Sequence, residues 1–60
     1  MDASRYLCHD QYSGQEAWVR YDNQSLVYEI FADEGCEEYI GSADSESDAK
    51  VIAQDWFDDQ

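Results

Sequence analysis

Positive charge is what this sequence has least of: three Lys and Arg residues stand against 15 Asp and Glu, a formal net charge of -12 in 60 residues. Direct binding of DNA or RNA draws its affinity from cations on phosphates, so a chain with so few is excluded from that role. Proline is absent and glycine occurs three times, which leaves no linker composition and predicts one cooperative domain over residues 1–60. No window approaches the roughly 20 apolar residues that a membrane span requires, and an anionic surface is repelled by anionic lipid. Met1 is followed by DASRYLCHD, without the basic start and apolar run of a secretory leader. The expectation is therefore a cytoplasmic protein whose two cysteines, Cys8 and Cys36, are thiols.

Length sets the next limit. A domain of this size buries only about 60% of the surface its unfolded chain exposes. A water-excluding cleft would consume the same apolar residues that must form the core, so no enzyme is expected. Composition also excludes an acidic disordered tail, because 43% of the residues are hydrophobic and 15% aromatic.

The aromatic and β-branched residues fall into short runs between turn formers. They predict strands at Arg5 to His9, Glu16 to Asp22, Leu26 to Phe31 and Glu37 to Gly41, punctuated at Gly14, Asp22-Asn23-Gln24-Ser25, Gly35 and Gly41. The short connections imply antiparallel hairpins. After Gly41 the apolar period changes to that of a helix, with Ala49, Ile52, Ala53 and Trp56 in step and Phe57 beside them. Ser45, three residues before Asp48, supplies a capping-box-like start, so a helix is predicted from Glu46 to Phe57. The fold class is α+β: a small antiparallel sheet of three or four strands with one C-terminal helix on one face. Its expected core is Leu7, Val19, Tyr21, Tyr28, Ile30, Ile40, Ile52 and Trp56. The opposite face then carries Tyr6, Trp18, Val27, Phe31 and Tyr39 among Glu16, Glu29, Glu37 and Arg20, enough apolar area to suggest a contact surface or a homodimer.

Chemistry-bearing patterns are few. Cys8-His9-Asp10 and Cys36 offer metal-ligand types without a C-x-x-C pair or a second histidine, so no metal or cofactor is expected. Adjacent strand residues point to opposite faces, which keeps His9 from activating Cys8. Asp44, Glu46 and Asp48 are spaced like the first half of a calcium loop, yet Ala49 stands where glycine is needed and Asp55 where glutamate is. Helix capping and the positive dipole end explain Ser45, Glu46 and Asp48 without a ligand.

The far end of the helix has no such explanation. Asp55, Asp58 and Asp59 crowd the negative dipole end, where each carboxylate costs about 0.3 to 1 kcal/mol. On a helical wheel Asp44, Asp48, Asp55 and Asp59 form a stripe away from Lys50, with successive carboxylates about 6 to 10 Å apart. That range is comparable to distances between phosphates along a nucleic-acid strand. Further acid lies in the turn Asp33-Glu34-Gly35-Cys36-Glu37-Glu38.

Small size, this charge, the lack of catalytic motifs and a strands-plus-helix layout together resemble a class of small, acidic, phage-encoded inhibitors that mimic nucleic acid, many anti-CRISPR proteins among them. The resemblance rests on no shared motif and implies a mode of action only. It implies an inhibitor that occupies the basic nucleic-acid-binding surface of a host defence or nucleic-acid enzyme, such as a CRISPR effector, in the host cytoplasm. The candidate partner-binding residues are Glu34, Glu37, Glu38, Asp44, Asp48, Asp55, Asp58 and Asp59, with Trp18 or Tyr39 as an aromatic anchor. Two further readings use other partners: an interaction module or homodimer held by the aromatic sheet face, and an acidic antitoxin-like regulator of a basic protein.

Overall fold

The structure, a computed structural model, describes residues 4–59. Four strands, β1 (Arg5–His9), β2 (Glu16–Asp22), β3 (Val27–Phe31) and β4 (Tyr39–Ala43), precede one helix, α1 (Glu46–Asp58). The strands pair antiparallel in the order β1-β2-β3-β4, so chain order and sheet order coincide and β1 and β4 are the edges.

Each connection is set by a short polar side chain. Between β1 and β2, the Asp10 carboxylate accepts from the Ser13 hydroxyl at 2.7 Å and from the amides of Tyr12 and Ser13, and Gly14 supplies the positive φ of 76° that ends the turn. Between β2 and β3, Asp22 accepts from the Gln24 amide and the Ser25 hydroxyl. Ser45 Oγ accepts from the Asp48 amide at 3.2 Å, the expected N-cap of α1.

The helix lies mainly along β4 and reaches β1 and β3. Leu7, Ala17, Val19, Ile30, Ala43, Ala49, Ala53 and Phe57 form the buried cluster between helix and sheet, with Cys8, Tyr28, Ile40, Ile52 and Trp56 packed around it. Four of these eight are alanines, so two layers exclude water with few large side chains.

Three expectations are corrected. Leu26 is not part of β3. Its amide donates to the Asp22 carbonyl at 2.8 Å across the hairpin, its φ is 60°, and its side chain is 65% exposed. Tyr21 leaves the core, because it lies toward the β2–β3 hairpin; it is exposed and packs on Tyr28 with ring centroids 5.0 Å apart. The fourth strand runs over Tyr39–Ala43 rather than Glu37 to Gly41, which places Gly41 inside it. A Cβ at Gly41 would lie 3.3 Å from Ile52 Cγ2, so this glycine permits close helix packing and does not mark a turn.

Candidate protein-binding surface

Opposite the helix, one aromatic residue from each strand forms a row across the sheet. Tyr6 is paired in register with Trp18, Trp18 with Phe31, and Phe31 with Tyr39. Tyr6 meets Trp18 edge-on with centroids 5.7 Å apart, and Phe31 meets Tyr39 likewise at 5.7 Å. Arg20 lies over the Phe31 ring, 5.2 Å from its centroid, while its guanidinium donates to Glu29 at 3.1 Å. That hydrogen bond is the main reason its pKa is raised.

Phe31 is only 5% exposed although it stands outside the helix-side cluster. Tyr39 edge-on to the ring, Arg20 over it and Trp18 in register beside it cover it, and the β3–β4 connection lies on the same side of the sheet. Ser4 donates from Oγ to the Glu34 carbonyl at 2.7 Å, and Ser4 precedes β1, which lies two strand spacings from β3, or about 10 Å. Cys36 is within electrostatic reach of Arg20, a residue of the open face. The connection therefore folds back across that face. Asp33 holds its shape by accepting the Glu37 and Glu38 amides, both at 2.9 Å, and Cys36 takes a φ of 58°. The carboxylates of Glu34, Glu37 and Glu38 point outward and are exposed.

The second group of acids belongs to the helix. At about 100° per residue, Asp48, Asp55 and Asp59 fall within about 40° of one another. Their flank faces the free edge of β4: a groove of about 340 Å³ is lined by Ser42, Ala43 and Asp44 on one side and by Asp48, Val51 and Ile52 on the other. The other flank turns toward β1, where Arg5 pairs with Glu46. Asp58 stands off the stripe and accepts from Gln54 Nε2 at 3.0 Å. The last turn holds no basic residue, and Asp59 caps the helix with right-handed backbone, without a terminating glycine.

All eight predicted carboxylates are exposed. Among the described residues the ion pairs are Arg5 with Glu46 and Arg20 with Glu29, so no described cation neutralises any of the eight. The structure brings Asp44 and Asp48 together in the groove and extends their line with Asp55 and Asp59. Glu34, Glu37 and Glu38 sit on a loop over the other face and form a separate patch. Of the two aromatic anchors, Tyr39 is 56% exposed, whereas Trp18 is half-buried between Tyr6 and Phe31. The sequence reading missed Val51, Ser42 and Ala43. The signal for Val51 was present, since it is an apolar residue off the apolar stripe of the helix.

Both cysteines are free. Burial pushes the Cys8 thiol up, partly offset by Lys50, away from a nucleophilic thiolate. His9 Nδ1 is 2.7 Å from the Tyr6 hydroxyl rather than turned to Cys8. Among the described residues no group of three His, Cys, Asp or Glu converges to hold a metal, and no helix is long and apolar enough to cross a membrane. No protein-family model, no curated protein and no solved structure matches this chain.

Proposed function

We propose that this chain is an inhibitor that binds the basic nucleic-acid-binding surface of another protein and excludes DNA or RNA from it by charge mimicry. A host defence or nucleic-acid enzyme such as a CRISPR effector, met in the host cytoplasm, is the fitting class of partner. The observation that carries the reading is the set of eight exposed carboxylates that no cation among the described residues neutralises. Left unpaired they repel one another and weaken the compact state. Lys and Arg of a partner would turn that repulsion into charge-assisted hydrogen bonds.

Capture of partners from a lysate at low salt, elution by rising salt, and competition with the partner's own nucleic acid test the proposal together. The expected result is a basic partner that loses its nucleic acid when this chain binds. Its affinity falls steeply between about 50 and about 200 mM salt, because the contacts are ionic. A salt-independent affinity, or a partner that holds this chain and nucleic acid at once, refutes it.

The aromatic row favours a second reading, a homodimer through the sheet face, since Tyr6 and Tyr39 keep exposed ring surface there. Light scattering separates the two: a dimer that Trp18→Ala dissociates supports the face, and a monomer removes it.

A further inference from the structure

The free edge of β4 and the acidic flank of α1 run side by side. From Tyr39 to Ala43, β4 covers about 13 Å at about 3.3 Å per residue. The stripe from Asp48 to Asp59 is somewhat longer, about 17 Å at about 1.5 Å per residue. The two meet where a Cβ on Gly41 would lie 3.3 Å from Ile52 and where Ser42, Ala43 and Asp44 line one groove with Asp48, Val51 and Ile52.

Edge strands are ordinarily protected by shortness, Lys, Pro, an inward charge or a bulge. Tyr39-Ile40-Gly41-Ser42-Ala43 is short but holds no Lys, Pro or charge, and its one irregularity, the register shift between Ile30 and Phe31, lies at Ile40 and leaves the rest of the strand regular. Gly41, Ser42 and Ala43 remain in regular register with Ile30, Glu29 and Tyr28. Alternate backbone amides and carbonyls there face away from β3, beside a groove that combines the apolar side chains of Val51 and Ile52 with the carboxylates of Asp44 and Asp48.

We propose that this edge takes an extended basic segment of the partner protein as a fifth strand, so that recognition adds main-chain hydrogen bonding to charge. Alternation decides the match. In a strand every second side chain points to the same face, so one set of residues lies toward the helix and its carboxylates, where Lys or Arg is required. A second copy of this chain fits poorly, because antiparallel pairing of two such edges would set the acidic flank of one helix, Asp48 to Asp59, alongside the same flank of the other, acid against acid. The inference rests on the charge-mimic reading and specifies how one part of its surface engages.

The test uses three synthetic peptides of about six residues that alternate Lys and Val, long enough to cover β4. One is unmodified, one is N-methylated at its Lys amides and one at its Val amides. Titration against the isotope-labelled protein at low salt follows both affinity and the residues perturbed. In a paired strand the amides of one set face β4 and those of the other face solvent. Methylation of one set is therefore expected to weaken binding about tenfold or more, and methylation of the other to leave it unchanged. Shifts should centre on Gly41 to Ala43 and on Asp48 to Asp55, and Val51→Lys, at an exposed position, should abolish them. Loss that is the same for both methylated peptides, no loss, or no binding overturns the proposal. So does dimerisation of the protein through β4. Nucleic-acid competition is read separately, so its failure alongside a positive peptide result removes mimicry while the strand pairing stands.

Discussion

Replacing Asp55, Asp58 and Asp59 together by Asn should make the protein more stable and a poorer binder. The three side chains occupy the last turn and C-cap of α1, all exposed, with no basic residue in that turn and no glycine to end it. A carboxylate against the negative end of a helix costs about 0.3 to 1 kcal/mol at low salt, so the three sum to about 1 to 3 kcal/mol. The lower half of that range is expected, because the effect fades beyond the last turn and neighbouring charges do not add. Asn keeps the volume and leaves an acceptor for Gln54 at position 58. For a domain this small, about 1 kcal/mol raises the melting temperature by about 4 to 8 °C. Thermal unfolding followed by far-UV circular dichroism at low salt reads the gain. The gain should shrink in high salt, where the Debye length falls to about 3 Å at 1 M. An unchanged or lowered melting temperature at low salt refutes the dipole argument. Partner affinity that survives the triple substitution refutes its functional half.

Other consequences follow from single positions. Gly41→Val places branched carbon against Ile52 and should cost about 1 to 3 kcal/mol in urea unfolding; a neutral result would mean the helix sits farther from β4. Leu26→Gly should raise stability by about 1 kcal/mol, since it removes a left-handed φ of 60° from a leucine that is already largely exposed. Asp10 is held below its ordinary pKa chiefly by the Ser13 hydroxyl and further by the Tyr12 and Ser13 amides. Its folded value is depressed, so its stabilisation is present above the unfolded carboxyl pKa of about 3.9 and is lost as pH falls through the folded value. The stability gap between the protein and Asp10→Ala should therefore be constant near neutral pH and close in acid; a gap that persists at the acid end would show that the turn does not depend on the carboxylate.

Much of the architecture was legible because local rules agreed. Alternation in EAWVRYD, the Asp22 turn and the change to helical period after Gly41 each predict one element, and β1, β2 and the helix start occur where predicted. Boundaries failed where a tertiary contact overrode a local preference. Leu26 has the character of a strand residue, yet closing the hairpin requires a left-handed residue at that place. Gly41 reads as a turn, yet its pairing with Ile30 makes it a strand residue, and the nearness of Ile52 is the reason it is a glycine. The candidate carboxylates were found by composition and by the helical wheel, but their grouping was not, because a wheel shows which residues share a flank and not what that flank faces.

The sequence by itself determined the sign of the charge, the order of the elements and the poor match between three aspartates and the dipole of their helix. Those properties depend on residue type and near-neighbour spacing. Only the tertiary structure decided that Phe31 is buried on the open face, since that takes Trp18, Arg20 and Tyr39 from the neighbouring strands around its ring. It also decided that the acidic flank lies beside an edge strand, β4. Both depend on contacts between residues distant in the chain, and no local pattern encodes them.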